Sequence, residues 1–352
     1  MSNTDKRFAN PISVGIVAAG LSLLPATPVL ACAACGCSLS TDAAMGYTAA
    51  AGWRVSLQYD YIDQSQLRHG MGSVSPASVA ALNPTADQEV EKDTTNRYIT
   101  LGLTYAPSTV WNFRLLVPYV DRGHTTYGAE TPPLTPDKVS GVTVSSIGDA
   151  KLIASYQGFL PTHNLGVQFG LKLPTGHYGG PDASGTGVVG SHPVAFASGP
   201  AAGELLDTSL QAGTGSTDVV VGGYYYKAVS QNFDAFINGQ FQAAVAHRLD
   251  QSGANFRPGN LITLSTGLRY EKSPRVVPQL QLNISRKSAD QGALADTANT
   301  AGTTVYLSPG VSVAVTRSLQ AYGFVQLPVY SRLDGYQLFP KWTATVGVSY
   351  GF

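Results

Sequence analysis

The sequence predicts an all-β chain, a single transmembrane antiparallel β-barrel of about twelve strands with both termini on the periplasmic side. Three observations predict it. Segment after segment alternates apolar and polar residues with a period of two, the pattern of a strand with one face of each kind. Charged residues are only 12% of the 352 positions, yet outside the N-terminal region no apolar run approaches the ~20 residues that a spanning helix needs. Long and short connections also alternate along the chain, as in outer-membrane barrels.

The first element is a Sec signal peptide over residues 1–31. Lys6 and Arg7 precede an apolar stretch from Pro11 to Leu24, and Val29 and Ala31 satisfy the small-residue rule for cleavage before Cys32. Val29-Leu30-Ala31-Cys32 also loosely matches a lipobox, for which Leu30 is a poor residue.

Residues 32–51 form a second segment, periplasmic or folded into the barrel mouth as a plug. It holds all the cysteines of the chain, Cys32, Cys35 and Cys37, in a Cys-x-x-Cys-x-Cys motif. Thiolates at this spacing suit a soft metal such as Cu or Zn, or an iron–sulfur cluster. Two other chemistries stand beside that one. Periplasmic oxidants can join Cys32 to Cys35 and leave Cys37 over, or an acylated Cys32 can precede an accessory pair. The motif contains no histidine, which excludes haem attachment. Ser40 or Thr41 caps a short expected helix through Ala49.

The barrel is expected over 52–352. Val55, Leu57, Tyr59 and Tyr61 oppose Ser56, Gln58 and Asp60, and Trp111, Phe113, Leu115, Val117 and Tyr119 oppose Asn112, Arg114 and Pro118. The same parity recurs at Leu165–Leu173, Phe233–Val245, Leu280–Ile284 and Val305–Val315. The last stretch sets Trp342, Ala344, Val346, Val348, Tyr350 and Phe352 against Thr343, Thr345, Gly347, Ser349 and Gly351. Tyr350 and the terminal Phe352 have the form of the signal read by the barrel assembly machinery, and this strand is expected to pair with the first near Val55–Tyr61. Long connections are expected at 63–94, 121–147, 175–216, 247–260, 287–302 and 331–340, with short ones between them. A soluble sandwich has no reason to gather its long loops on one side.

The polar parity is then the lumen, carrying Asp60, Arg114, Lys151, Lys172, Asp218, Asp234 and Arg269. These groups either line an aqueous path or pair across the bore as a structural network. The balance of 22 basic against 22 acidic residues offers no footprint for nucleic acid. Of the histidines, His69, His124, His177, His192 and His247 fall in expected long loops and His163 in a short turn. None shows the His-x-Ser-Asn arrangement of a barrel phospholipase. The spacings of His124 to Asp121 and of His247 to Asp250 are weak grounds for a protease, so a hydrolase is the least favoured class.

Three stretches carry a family resemblance. Ser146-Ile147-Gly148-Asp149-Ala150-Lys151-Leu152, followed by Gly170-Leu171-Lys172-Leu173-Pro174-Thr175-Gly176, resembles the bacterial outer-membrane transporter-like family named for the meta-cleavage pathway of phenol degradation. Leu210-Gln211-Ala212-Gly213-Thr214-Gly215-Ser216-Thr217-Asp218 resembles it too, and the likeness spans roughly 95–352. The resemblance implies a barrel related to channels for hydrophobic aromatic compounds, but no particular substrate. The cysteine segment departs from the family pattern. Glycine and proline where strands meet loops also have an ordinary reading as turn residues.

Together these readings describe an integral outer-membrane channel or transporter of a Gram-negative bacterium, surrounded by lipid and passing an unidentified small solute. The alternative is an outer-membrane scaffold coupled through its cysteines to a periplasmic redox or metal-handling partner.

Overall fold

The computed structural model describes residues 51–83 and 88–352. The expected signal peptide and the cysteine segment with Cys32, Cys35 and Cys37 lie outside the described residues, apart from Ala51.

In chain order the elements are β1 (Gly52–Gly70), β2 (Gly72–Ser73), helix α1 (Pro76–Ala80), β3 (Glu91–Ala106), β4 (Trp111–Thr126) and β5 (Ser140–Ile147). There follow β6 (Ala150–Tyr156), β7 (Leu165–Leu173), β8 (Tyr178–Pro181), β9 (Val188–Ser191), β10 (Ser216–Ala228) and β11 (Phe233–His247). The last are β12 (Leu261–Tyr270), β13 (Val276–Lys287), β14 (Gly302–Ala314) and β15 (Leu319–Gly351). Among the described residues, eleven of these strands form one closed antiparallel ring, in the order β1, β3, β4, β6, β7, β10, β11, β12, β13, β14, β15 and back to β1. β2 and β5 pair at its margin, and β8 with β9 is a separate ribbon.

The expected loop at 331–340 is instead extended, because β15 runs 33 residues without a break. It turns back on itself at Asp334-Gly335, where Gly335 takes φ 64°, a conformation an L side chain rarely adopts. Its first arm pairs with β14 and its second with β1. Counted as arms, the ring has the twelve passes that the alternation suggests; counted as continuous strands, it has eleven. Asp-Gly between two alternating runs is the hairpin signal that a loop assignment overlooks.

Parity explains which face each residue takes. Val55 pairs with Leu103 and Tyr350, and Leu57 with Leu101 and Val348. Leu103 pairs in turn with Leu115, and Leu115 with Leu152. These side chains are exposed, whereas their inward neighbours Gln58, Asp60, Thr345 and Ser349 are buried. Apolar outside and polar inside is the reverse of a water-soluble sandwich. The terminal residue joins the seam: Trp53 N donates to Phe352 O at 3.1 Å and Phe352 N to Trp53 O at 3.0 Å.

Three strand prolines fall where the ladder changes. Pro118 lies between the part of β4 that pairs with β6 and the part that pairs with β5. Pro328 and Pro340 sit at register shifts. Each removes a donor at a place that tolerates the loss.

At one end of the ring the turns are short and alike. Ser108, Ser230, Ser273 and Thr316 each accept, through the side-chain oxygen, from the backbone N–H two residues on, at Val110, Asn232, Arg275 and Ser318. A hydroxyl that mimics a backbone turn explains the Ser or Thr in these four connections; in the fifth, between β6 and β7, Thr162 Oγ1 donates instead to Asn164 Oδ1. The other end carries the long segments. Leu67, Val79, Val90, Val142, Val144, Leu206, Leu210 and Leu338 form a buried apolar cluster there, and Tyr178, Leu249 and Phe256 a second one. The long loops therefore fold on one another and cap the ring.

β1, β4 and β11 extend further toward the cap than the alternation suggests. His69, His124 and His247 are consequently strand residues rather than loop residues.

Candidate functional site

Inside the ring, under the cap, lies a cavity of about 490 Å³. β4 and β6 contribute Arg114, Arg122 and Lys151 to one wall; β11 contributes Asn238, Gln240 and Gln242 to another. Third-, fourth- and fifth-loop residues, among them Ser209, Gln211, Phe256 and Asp290, roof it. Lys151 Nζ on β6 donates to Gln242 Oε1 on β11 at 2.9 Å, across the two strands between them.

The three stretches that carry the family resemblance meet at Lys172. Its ammonium lies 3.0 Å from Asp149 Oδ2 and 3.3 Å from Asp218 Oδ2. It also donates to Thr214 Oγ1 and to Ser216 Oγ. Asp149 accepts from the Gly176 and Thr214 backbone N–H groups at 3.1 and 2.9 Å. Thr175 Oγ1 donates to Gly148 O at 2.7 Å and accepts from Ala150 N at 2.9 Å. Gly148, Gly176 and Gly213 make this possible by packing backbone to backbone. A Cβ on Gly176 would meet Gly213 at 2.9 Å and Gly148 Cα at 3.0 Å. The hub is buried, so each charge depends on its partners. It joins the wall, through β6, β7 and β10, to both ends of the third loop.

Arg122 makes a second tie. Its guanidinium donates to Asn96 Oδ1 at 2.5 Å, to Tyr98 Oη at 2.8 Å and to the Leu210 carbonyl in the third loop. Leu210 ends a short 3-10 turn, Thr208–Leu210, capped by Asp207, whose Oδ1 accepts from Ser209 N at 2.6 Å. Burial pushes the Asp207 carboxyl up to about 7; Ser209 opposes the rise, while Asp296 and Asp290 from the fifth loop add to it. Burial also raises the Asp296 carboxyl against its bonds to Asn299 and Ala298. Glu91 joins this acidic neighbourhood. Its Oε2 accepts from Leu338 N at 3.1 Å, and its Oε1 has no hydrogen-bond partner among the described residues.

The structure distributes the expected lumen residues over three places. Arg114, Lys151, Lys172 and Asp218 face the cavity, the last two within the hub. Asp60 is buried between β1 and the second arm of β15, where Thr345 Oγ1 donates to it at 2.6 Å and Gln58 Nε2 at 2.8 Å. Asp234 and Arg269 are register partners near the short turns, where Arg269 pairs with Glu271 at 2.8 Å. Tyr350 and Phe352 are exposed on the outer face beside the seam. Arg122 escaped the sequence reading because it lies inside the expected loop 121–147, and Asp149 entered it only as part of a resemblance stretch, where strand meets loop and alternation fades. Among the described residues, no three His, Cys, Asp or Glu side chains gather closely enough to hold a metal ion.

A closed antiparallel ring, apolar outside and polar within, defines a porin-like β-barrel. No family profile and no curated protein sequence matches the chain. Among solved structures it is similar to the COG4313 outer membrane channel from Pseudomonas putida F1, with a TM-score of 0.59 at 13% identity, covering 87% of this chain and 98% of that one. The CymD monoaromatic hydrocarbon channel gives a TM-score of 0.44 at 11% identity, covering 89% and 93%. The P. putida toluene transporter TodX gives 0.40 at 10%, covering 86% and 90%. The first of these shares the fold, a closed antiparallel β-barrel.

Proposed function

We propose that this chain is an outer-membrane channel for small solutes in a Gram-negative bacterium, with its short turns and termini in the periplasm and its capped end outside the cell. The observation that carries the reading is the exposed apolar belt around a polar, roofed cavity. A large apolar side chain left in water forfeits about 1.5–3 kcal/mol, and a full ring of them outweighs the net stability of a domain. Lipid removes that cost. Trp53, Tyr105, Trp111, Tyr156 and Tyr350 near the short turns, with Tyr59, Tyr119 and Trp342 toward the cap, supply the two aromatic girdles of such a barrel.

In this reading the inward Arg114, Lys151, Lys172, Asp218, Asp60, Asp234 and Arg269 line or brace the path, and the cap must move for a solute to pass. Tyr350 and Phe352 serve as the assembly signal. Cys32, Cys35 and Cys37 serve thiol or soft-metal chemistry in this reading, and a mass spectrum of the mature protein separates a disulfide, a bound metal and an acylated Cys32.

The test of the channel is single-channel recording in planar bilayers together with solute flux into liposomes. Discrete current steps are expected. A heat-modifiable, fully inserted barrel that passes neither ions nor solute would overturn the reading.

A further inference from the structure

The third loop brings two histidines together. His177 directly precedes β8 and His192 directly follows β9. Tyr178 opposite Ser191 is the first pair in the register of that ribbon, so His177 and His192 take the next opposed position outward, where cross-strand side chains lie within reach of one another. Their ring centroids are 5.3 Å apart and their planes are 34° apart. Gly179 and Gly190, also register partners, add no side chain beside the rings.

The backbone behind both rings is fixed by one short segment. His177 O accepts from Gly213 N at 2.7 Å. Two residues beyond His192, Val194 N donates to Gln211 Oε1 at 2.9 Å, and Val194 O accepts from Gln211 Nε2 at 3.1 Å. His192 itself takes φ 53°, and among the described residues His163 is the only other non-glycine residue with a positive φ. A backbone held in this region is set by its surroundings, and such outliers cluster at functional sites. The donor chemistry agrees. His192 Nδ1 lies 3.2 Å from Ser191 Oγ; a ring that donates there presents Nε2 with its lone pair, the way a ligating imidazole is oriented. Two imidazoles that share a tetrahedral zinc at about 2.1 Å per bond set their centroids about 5 Å apart, and the observed separation fits. His177 is half-buried and His192 exposed, so an ion can enter from solvent.

We propose that His177 and His192 form a binding site for a divalent transition-metal ion of the zinc kind. The two imidazoles hold the ion at the base of the β8–β9 ribbon, and water completes its coordination. Imidazole suits zinc, copper and nickel and is a poor ligand for magnesium or calcium, which take oxygen donors. Two protein ligands make an open site, so the ion exchanges with solvent rather than being locked into the fold. A bound ion ties the two ends of the ribbon together and stiffens the third loop, part of the roof of the cavity. The site is separate from Cys32, Cys35 and Cys37 and stands without the channel reading.

The experiment is equilibrium dialysis of the purified, detergent-solubilised full chain against zinc, with Cys32, Cys35 and Cys37 replaced by serine so that thiolates do not compete. His177→Gln and His192→Asn are each expected to weaken zinc by about tenfold or more; asparagine is chosen at 192 because it tolerates the left-handed backbone. Ligands of one ion are coupled, so the double variant is expected to bind zinc no worse than either single one. Excess magnesium is expected not to displace the zinc. On the chain without any histidine variant, zinc is expected to protect His177 and His192 together from acylation by diethyl pyrocarbonate, read by peptide mass spectrometry, which does not depend on a variant folding. Zinc binding unchanged in both folded single variants overturns the proposal, as does acylation of both rings at the same rate with and without zinc. Losses that add in the double variant overturn it too, since they mean that each ring holds an ion of its own.

Discussion

At the short-turn end the chain passes from strand to strand within a few residues, and in four of the five turns one hydroxyl satisfies the backbone locally. At the opposite end, segments far apart in sequence pack together. Leu67 and Val79 meet Val142, Leu206 and Leu338 in one cluster, and Lys172 gathers Asp149, Thr214 and Asp218. The first end is built from local chemistry and will yield to local change. The second is built from long-range agreement, and loss of one member leaves the others buried without partners. The difference also divides labour: the turns need only return the chain, whereas the cap roofs the cavity.

The largest expected break comes at the junction of wall and cap. Lys172→Ala strands Asp149 and Asp218 as buried, unpaired carboxylates and should cost about 3–5 kcal/mol. Urea unfolding of the refolded protein in lipid checks it, and a wild-type midpoint would mean that the hub does not join the two ends.

The next concerns acidity. The Asp207 carboxyl is raised from 3.8 to about 7 in the folded cap. The capped state therefore holds a proton that the opened state releases, so its stability is full below about pH 4 and declines as pH rises to about 7. At 1.36 kcal/mol per unit the decline amounts to about 4 kcal/mol. A spin label at Ala201, in a cysteine-free background, should gain mobility across that window, and Asp207→Asn should abolish the dependence. A pH-independent label in the wild-type protein would contradict it.

Gly335→Ala should cost about 1–3 kcal/mol, because the residue has φ 64° and its added Cβ would meet Asn299 Oδ1 at 1.8 Å. The smallest effect belongs to the turns: Ser273→Ala should shift stability by no more than ~0.5 kcal/mol. A turn variant that proved as costly as Gly335→Ala would erase the contrast between the ends.

Much of the wall was legible in the sequence, because a strand with one apolar and one polar face writes its orientation into every second residue. The seam between Val55–Tyr61 and the final strand followed from the same parity, and the register matches it. Beyond the apolar belt the signal stops. Residues 121–126 of β4, Asp-Arg-Gly-His-Thr-Thr, are polar at both parities, so the strand there reads as loop although it is extended. The cap was not legible either, since Leu206, Leu210 and Phe256 lie in turn-rich segments without any period. The site was legible in part. Arg114 and Lys151 stand out as charges at inward parity. That Leu116, Pro118 and Val120 share their face needed the register, and that Asp149 pairs with Lys172 needed the fold.

The seam has a consequence for the order in which the molecule is made. β1 comes first in the order of the ring strands, while its closing partner, the second arm of β15, comes last. Until that arm arrives, β1 has an unpaired edge, the kind of template on which chains aggregate. Contacts between the two ends of a sequence also form slowly, since chain entropy is spent before the pairing is gained. A nascent chain of this design therefore passes through a long-lived open sheet with two free edges. Its lifetime is set by the wait for the final arm, and a chaperone that shields such edges has that interval in which to act.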